Sequence, residues 1–179
     1  MSVPKPARAR LKWTATGICL LILSPSLSAC GTAAIPQKYR AHVIDAGNEC
    51  QSVSPKLIAA QIEQESGWDP NAVSKSGALG MAQFMPETWQ AWGSDGNGDG
   101  NHDPFEPADA IKSQGRLMCH LVSVADASDV PGDTIMLALA AYNAGWSQVV
   151  EHEGVPPFPE TVAYVADIQK RTANIRLRD

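Results

Sequence analysis

Residues 54–67 read SPKLIAAQIEQESG, and this stretch contains the signals that begin and end a helix. Ser54 is a preferred N-cap residue, and Pro55 suits the first helical position because that position needs no N–H group. Gly67 suits the left-handed residue that often follows a helix C-terminus. The stretch therefore predicts a helix of about three turns.

Two carboxyl groups lie near the end of this predicted helix, and spacing separates them. Ile58, Ile62 and Glu65 fall at positions i, i+4 and i+7, which share one helix face, whereas Glu63 points elsewhere and is expected at the solvated surface. On the core-facing side of the last turn, desolvation and the helix dipole both disfavour a charged Glu65. A carboxyl group that stays neutral near pH 7 can act as a general acid, although a buried glutamate held by hydrogen bonds without any chemical role fits the spacing equally well.

The rest of the chain also has helical periodicity, and no run of alternating polar and apolar residues is long enough to predict a strand. The sequence thus predicts an all-α fold, with one globular domain over residues 38–179. Besides the helix above, we expect helices over residues 38–50, 81–85, from 86 onward, 106–125, 133–144 and 159–175.

The N-terminal region is typical of an export signal. Four basic residues precede the apolar run WTATGICLLIL, and the small residues before Cys30 resemble a lipobox, so residues 1–29 are predicted to be cleaved and Cys30 to be lipidated. The alternative is ordinary cleavage that leaves Cys30 as a thiol. Residues 30–37 would form a short tether between the membrane and the domain. Removing the four positive charges would take the net charge from −5 to −9, which argues against nucleic acid as a partner.

The cysteines predict one disulfide bond. Cys19 would leave with the signal and Cys30 would be acylated, so Cys50 and Cys119 remain as a pair in an oxidising compartment. Such a bond would contribute about 4 kcal/mol by the chain-entropy model. Two unpaired, buried cysteines are the alternative.

Residues 95–106, DGNGDGNHDPFE, have the spacing of an EF-hand calcium loop. Gly100 stands at the sixth place, where the loop turns sharply, and the flanking segments are predicted to be helical. We therefore expect a structural Ca²⁺ site, with a solvated Asp/Gly turn as the alternative. The predicted ligands are Asp95, Asn97, Asp99, Asn101, Asp103 and Glu106.

Four motifs occur in an order that resembles the catalytic domain of soluble lytic transglycosylases, the lysozyme-like enzymes that cleave peptidoglycan. They are ESGWDPNAVSKSGALGMAQFMPETW (65–89), DPFEPADAI (103–111), ALAAYNAGW (138–146) and PETVAYV (159–165), and the resemblance extends roughly from Asp45 to Ile175. It implies a lysozyme-like fold of the goose-type and lytic transglycosylase kind. Where the family has Gly-Leu-Met-Gln, this chain has Gly-Met-Ala-Gln at 80–83, so alanine stands in the place of the methionine.

The resemblance also implies site residues. Glu65 matches the catalytic glutamate of the family. The residues implied in substrate binding are Ser74, Met81, Gln83, Tyr142, Asn143, Glu160 and Tyr164.

The implied reaction uses one protein carboxyl group. Glu65 would protonate the leaving oxygen of the MurNAc-β-1,4-GlcNAc bond while the sugar's own N-acetyl group attacks the anomeric carbon, and would then accept a proton as 1,6-anhydroMurNAc forms. No cofactor is expected for catalysis, and the expected partners are glycan strands and, through a lipid anchor, a membrane. We expect a monomer. Two alternatives stay open: a lysozyme-type hydrolase in which Asp69 or Glu160 positions water, and an inactive cell-wall-binding lipoprotein.

Overall fold

Seven α-helices and one short 3-10 helix form the domain in a computed structural model that describes residues 34–177. The 3-10 helix is Gln37–Tyr39, and the α-helices are α1 (Arg40–Ala46), α2 (Pro55–Ser66), α3 (Pro86–Trp92), α4 (Pro107–Asp126), α5 (Thr134–Ala144), α6 (Trp146–Glu151) and α7 (Pro159–Asn174). The all-α prediction is confirmed. Over the described range, no helix is both long enough and apolar enough to cross a membrane. The predicted signal and Cys30 lie outside the described residues.

Helix α2 begins and ends as its sequence predicts. The Ser54 hydroxyl oxygen accepts a hydrogen bond from the Leu57 N–H at 3.2 Å, and Gly67 closes the helix in the left-handed conformation, with φ of 62°. Helix α2 is buried on more than one face, because α1, α4 and α7 all pack against it. Six consecutive residues, 57–62, are buried as a result.

Helix α5 forms the centre of the core. Its N-cap is Asp133, whose carboxylate accepts from the Met136 N–H at 3.0 Å, and its residues 137–141 are all buried. Helices α4, α6 and α7 pack against it. Because α5 is apolar on every side, it can be surrounded in this way without leaving polar side chains in the core.

A disulfide bond joins the α1–α2 connection to α4, which confirms the predicted pair. Cys50 and Cys119 have Cα atoms 6.0 Å apart and are 69 positions apart in the chain. The bond links two parts of the core that are distant in sequence.

The helix predicted over residues 81–85 is wrong, and α6 was not predicted. Residues 81–83 form a turn, after which Phe84 pairs with Leu79 in an isolated bridge. Gln83 has φ of 51° and Gly80 has φ of 69°, both incompatible with a right-handed helix. Helix α6 has only six residues, too few for a clear period.

The segment predicted as a tether packs partly on the domain. Ile35 is buried in the core cluster, and Ala34 pairs with Arg176 in an isolated bridge. All the described residues, 34–177, belong to one compact unit. Ordered structure therefore begins before residue 38.

Candidate active site

Glu65 lies in the last turn of α2 and opens onto a cleft of about 360 Å³. Helix α7 forms the opposite wall, and one residue each comes from α5 and from the loop that precedes α3. The cleft is lined by Gln64, Glu65, Gln83, Asn143, Glu160, Ala163 and Tyr164. The structure thus brings together five of the eight residues predicted for catalysis and substrate binding.

The environment of Glu65 favours its protonated form. Burial raises the pKa of Glu65 to about 7. A hydrogen bond from Tyr164 opposes this rise in pKa, and the negative charge of Glu160 adds to it. The side chain is partly buried, so it reaches the cleft while most of it is removed from water. Near neutral pH the carboxyl group can therefore give up a proton and take one back.

Two tyrosines lie beside Glu65, and they are bound differently. The Tyr164 hydroxyl donates to Glu65 Oε1 and accepts from Gln61 Nε2 at 3.1 Å. The Tyr142 hydroxyl donates to the Ala82 carbonyl oxygen at 2.8 Å. Burial and the charge of Glu65 raise the pKa of both tyrosines well above the ordinary value, so both stay neutral donors. Tyr164 lines the cleft, whereas Tyr142 braces the segment that carries Ala82.

Asn143 is oriented by Thr161, which lies in the PETVAYV motif but is not among the predicted site residues. The buried hydroxyl of Thr161 donates to Asn143 Oδ1 at 2.7 Å. Because the carbonyl end of the amide is occupied, its Nδ2 group is the end available to donate to a ligand in the cleft. Asn143 can therefore bind a carbonyl oxygen such as that of an acetamido group.

The loop before α3 holds Gln83 against the cleft. Gln83 Nε2 donates to the carbonyl oxygens of Gly80, at 2.8 Å, and Ala72, at 3.3 Å. The Gln83 carbonyl oxygen thus remains as the acceptor for a ligand.

Besides Tyr142, two residues predicted for substrate binding do not line the cleft. Met81 is fully buried in the core, and its main-chain carbonyl accepts from the Ser66 hydroxyl at 2.8 Å. The Ser74 hydroxyl accepts from the Ala78 N–H at 2.9 Å and so stabilises a turn. Both stabilise the loop that carries Gln83 rather than lining the cleft.

The acids considered for other roles have distinct surroundings. Glu160 lines the cleft from the first turn of α7 and is exposed. Asp69 accepts from the Asn71 N–H at 2.9 Å and does not line the cleft. Glu63 is less solvated than expected: its carboxylate lies 3.5 Å from Arg171 Nη1, and Arg171 Nε donates to Gln64 at 3.1 Å.

The loop that carries Gln83 touches the predicted calcium loop at Gly80. A Cβ atom at Gly80 would lie 1.8 Å from the Pro104 carbonyl oxygen, closer than any real contact. Only glycine permits both this approach and the φ of 69°.

Gly80→Ala should therefore destabilise the protein by roughly 2–5 kcal/mol, the sum of a left-handed residue and an overpacked contact. Urea unfolding measures this loss. Gly77→Ala is the matched control, because Gly77 also has a positive φ, 90°, yet nothing lies within 4 Å of its Cβ position. An equal loss in both variants would show that the contact with Pro104 does not matter.

The backbone of the predicted calcium loop already turns as the spacing requires. Gly98 and Gly100 have φ values of 81° and 89°. The Asp95 carboxylate accepts from the N–H groups of Gly100, at 2.8 Å, and Gly98, at 2.6 Å, and these bonds lower its pKa. The first and sixth positions of the loop are thereby brought together.

The other predicted ligands only partly converge. Asn97 Nδ2 donates to both Asp99 and Glu106, so the third, fifth and twelfth positions lie close together. The Asp103 carboxylate accepts from the Phe105 N–H at 2.9 Å, and the Asn101 N–H donates to Asp99 at 2.7 Å. Among residues 34–177, no three His, Cys, Asp or Glu side chains are grouped closely enough to hold a metal ion. The predicted ligands offer oxygen atoms, which suit Ca²⁺. In this structure the carboxylates of Asp95, Asp99 and Asp103 accept hydrogen bonds from N–H groups of the loop instead.

A buried acid outside the predicted ligand set shapes this loop. Asp109, in the first turn of α4, is fully buried and accepts from the Gly96 N–H at 2.6 Å and the Asp103 N–H at 2.8 Å. It therefore ties both sides of the loop to α4. Nothing in the EF-hand spacing identifies it.

Fold and site together define a helical, lysozyme-like domain with a protonatable glutamate in a polar cleft. The chain belongs to the transglycosylase SLT domain family, whose model matches residues 42–160. Among solved structures, it is similar in fold to an inactive mutant of the lytic transglycosylase Slt from Pseudomonas aeruginosa, with a TM-score of 0.59 and 24% identity over 76% of this chain and 24% of that one. The 70 kDa soluble lytic transglycosylase from Escherichia coli gives a TM-score of 0.60 and 22% identity over 78% of this chain and 24% of that one.

Relatives by sequence carry the name membrane-bound lytic murein transglycosylase F. The protein of that name from Aeromonas salmonicida is 32% identical over 96 residues, which are 54% of this chain and 18% of the relative. The one from Pseudomonas fluorescens is 32% identical over 108 residues, 60% of this chain and 21% of the relative. The chain thus matches about a fifth of the length of these relatives.

Proposed function

We propose that the protein is a peptidoglycan lytic transglycosylase that cleaves the MurNAc-β-1,4-GlcNAc bond. The observation that carries the proposal is Glu65, a carboxyl group with a pKa of about 7 that opens onto a cleft lined by amide groups. Membership of the transglycosylase SLT domain family and the names of the relatives support the substrate class. Sugars suit such a cleft because their hydroxyl and acetamido groups pair with amide donors and acceptors.

One carboxyl group suffices for the proposed reaction. Protonated Glu65 gives its proton to the glycosidic oxygen while the carbonyl oxygen of the neighbouring acetamido group attacks the anomeric carbon, so the C–O bond breaks as a new one forms. The resulting carboxylate removes the proton of the sugar's 6-hydroxyl, whose oxygen displaces the acetamido oxygen. The product is 1,6-anhydroMurNAc, and Glu65 is protonated again.

Asn143 and Gln83 would bind the substrate from two sides of the cleft. The Asn143 amide nitrogen donates to the acetamido carbonyl, and the Gln83 carbonyl oxygen accepts from a sugar hydroxyl. Tyr142 acts indirectly, through the Ala82 carbonyl oxygen.

An assay on purified peptidoglycan distinguishes an enzyme from a protein that only binds the cell wall. Incubation with the protein should release soluble muropeptides in proportion to time. Co-sedimentation of the protein with intact peptidoglycan, without release, would contradict the proposal and support the inactive cell-wall-binding lipoprotein.

Hydrolysis is the second candidate, because Glu160 lines the same cleft and its charge acts on Glu65. As a carboxylate, Glu160 would activate a water molecule in the manner of two-carboxylate glycosidases. The product would then be a reducing sugar instead of an anhydro sugar.

We propose further that the protein is exported and attached to a membrane through a lipid on Cys30. The basic and apolar segments before LSAC support this, as do the names of the membrane-bound relatives. Expression in bacteria with an alkyne-labelled fatty acid should label the protein, and Cys30→Ala should abolish the label. An equally labelled Cys30→Ala variant would contradict lipidation at this residue.

We also propose that residues 95–106 bind Ca²⁺ as a structural ion, through Asp95, Asn97, Asp99, Asn101, Asp103 and Glu106. The EF-hand spacing and the left-handed Gly100 support this proposal. Desolvation raises the pKa of Glu106, and the negative charges of Asp109, Asp99 and Asp103 raise it further. A bound cation would relieve the repulsion between these carboxylates, which also supports the proposal.

Calcium should therefore raise the melting temperature. A site of the extracellular kind has a Kd of about 10⁻⁴ M, so 10 mM Ca²⁺ should stabilise the fold by about 2.7 kcal/mol, or roughly 5–10 °C. Glu106→Gln should lose most of this shift, while Glu87→Gln, which alters an exposed acid on α3, should keep it. A wild-type melting temperature that does not respond to Ca²⁺ would contradict the site.

A further inference from the structure

Gln61 is a buried polar residue that packing alone does not explain. It lies on α2, one turn before Glu65, with its side chain fully buried among apolar neighbours in the sequence run AAQI. Its carbonyl oxygen has no hydrogen-bond partner among the described residues. An apolar residue of the same size would fill the space without burying an unpaired oxygen. What Gln61 adds is the hydrogen bond that its amide nitrogen donates to the Tyr164 hydroxyl at 3.1 Å.

This hydrogen bond sets the direction of a short chain. A tyrosine hydroxyl has one proton to donate, and an amide nitrogen can only donate. Because Gln61 Nε2 occupies a lone pair of the Tyr164 oxygen, the Tyr164 proton is directed to Glu65 Oε1. The opposite orientation of the amide would place its carbonyl oxygen next to Tyr164, where it would compete with Glu65 for that single proton.

The direction of the chain distinguishes the two oxygens of Glu65. Oε1 accepts from Tyr164 and is thereby held as the acceptor oxygen. When Glu65 is protonated, its proton therefore lies on Oε2, the oxygen left for the cleft. A general acid needs this arrangement, since only a proton directed at the glycosidic oxygen can be transferred.

We infer that Gln61 is a positioning residue which, through the Tyr164 hydroxyl, fixes the reactive orientation of the Glu65 carboxyl group. It does not contact the substrate, because it does not line the cleft. The inference rests on the proposed function of Glu65 as the general acid.

Other titratable groups near Glu65 remain the same when Gln61 is changed. Glu160 and Tyr164 on α7 and Tyr142 on α5 all interact electrostatically with Glu65. The ion pair of Glu63 with Arg171 lies about two turns beyond Tyr164 along α7. A substitution at Gln61 leaves every one of these groups in place, so a changed titration of Glu65 would report the hydrogen-bond chain.

The hydrogen-bond chain from Gln61 through Tyr164 to Glu65 can be tested without an activity assay, by ¹³C NMR of the Glu65 carboxyl carbon. The signal is assigned by its disappearance in Glu65→Gln. In the wild type it should titrate near pH 7. Tyr164→Phe removes a donor to the carboxylate and should raise the midpoint of the Glu65 titration by roughly one pH unit. Methionine has nearly the same shape as glutamine, and Gln61→Met should raise the midpoint by about half as much. The double variant should titrate like Tyr164→Phe alone, because Gln61 acts only through the hydroxyl.

Kinetics on soluble glycan chains provide the second measurement. Gln61→Met should lower kcat by roughly tenfold through loss of orientation, leave KM within about twofold, and move the alkaline limb of the pH profile upward with the NMR midpoint. Gln61→Leu serves equally well if the methionine variant does not fold.

Gln114→Met is the matched control, because Gln114 on α4 is also a fully buried glutamine without a hydrogen-bond partner for its side chain among the described residues. It should change neither the titration nor kcat. Unchanged titration and kcat in the Gln61 variants would overturn the inference, as would a Gln61 effect that adds fully to that of Tyr164→Phe. If the titrations behave as expected but peptidoglycan is not cleaved, the positioning is supported and the proposed function fails.

Discussion

Glu65→Gln should lower the rate of peptidoglycan cleavage by roughly 10²–10⁴-fold, because a positioned general acid contributes about that much and an amide cannot take its place. KM should change little, since glutamine has the same shape and keeps a carbonyl oxygen to accept from Tyr164. Release of soluble muropeptides from purified peptidoglycan gives both parameters.

Glu63→Gln is the matched control for this experiment. It makes the same chemical change two positions earlier on α2, at a carboxylate that pairs with Arg171 outside the cleft, and should keep nearly full activity. Equal activity in Glu65→Gln and the wild type would contradict the assignment of the acid.

The free energy of unfolding of Glu65→Gln shows whether a loss of activity comes from the missing acid or from a disrupted fold. The pKa of Glu65 is about 7 in the folded state and 4.5 in the reference state, so the folded protein binds more protons between these values. The free energy of unfolding of the wild type should therefore fall as the pH rises from 4.5 to 7, by at most about 3 kcal/mol from this residue. Glutamine does not titrate, so the variant should lack this part of the pH dependence and be at least as stable as the wild type at pH 8.

Removing the disulfide bond should cause a large loss of stability. The bond closes a loop between Cys50 and Cys119, which lie 69 positions apart, and the chain-entropy model gives about 4 kcal/mol for a loop of this length. A Cys50→Ala/Cys119→Ala double variant should accordingly unfold at much lower urea concentration.

Reduction of the wild type is the corresponding control, since it breaks the same bond without changing the sequence. Reduced wild type and the double variant should agree within about 1 kcal/mol. If both retained the full stability of the oxidised protein, the bond would not stabilise the fold.

The sequence predicts most of the helices because their ends carry local signals. Ser54 with Pro55, Asp133 before α5 and Pro159 at the start of α7 each mark a helix start that the structure confirms. Residues 81–85 show the limit of such signals: their composition fits a helix, but the hydrogen bonds of Gln83 to Gly80 and Ala72 require a left-handed turn. The bond to Ala72 reaches outside residues 81–85, so the composition of that stretch alone does not reveal it.

The same limit applies to the site. Spacing on α2 separates Glu65 from Glu63, because both lie on one helix whose geometry is known. The partners that orient the site come from distant parts of the chain: Gln61 bonds to Tyr164 across 103 positions, and Thr161 bonds to Asn143 from another helix. A polar residue within an apolar run, such as Gln61 in AAQI, is the one signal that points to such a contact in advance.

In the proposed reaction the substrate, and not a second protein carboxylate or water, supplies the nucleophile. Digestion of purified peptidoglycan in H₂¹⁸O, followed by mass spectrometry of the muropeptides, tests it directly. We predict anhydro products that are 18 mass units lighter than reducing-end products and carry no ¹⁸O at the anomeric carbon. Reducing-end muropeptides carrying one ¹⁸O would contradict this reaction and would indicate hydrolysis with water positioned by Glu160.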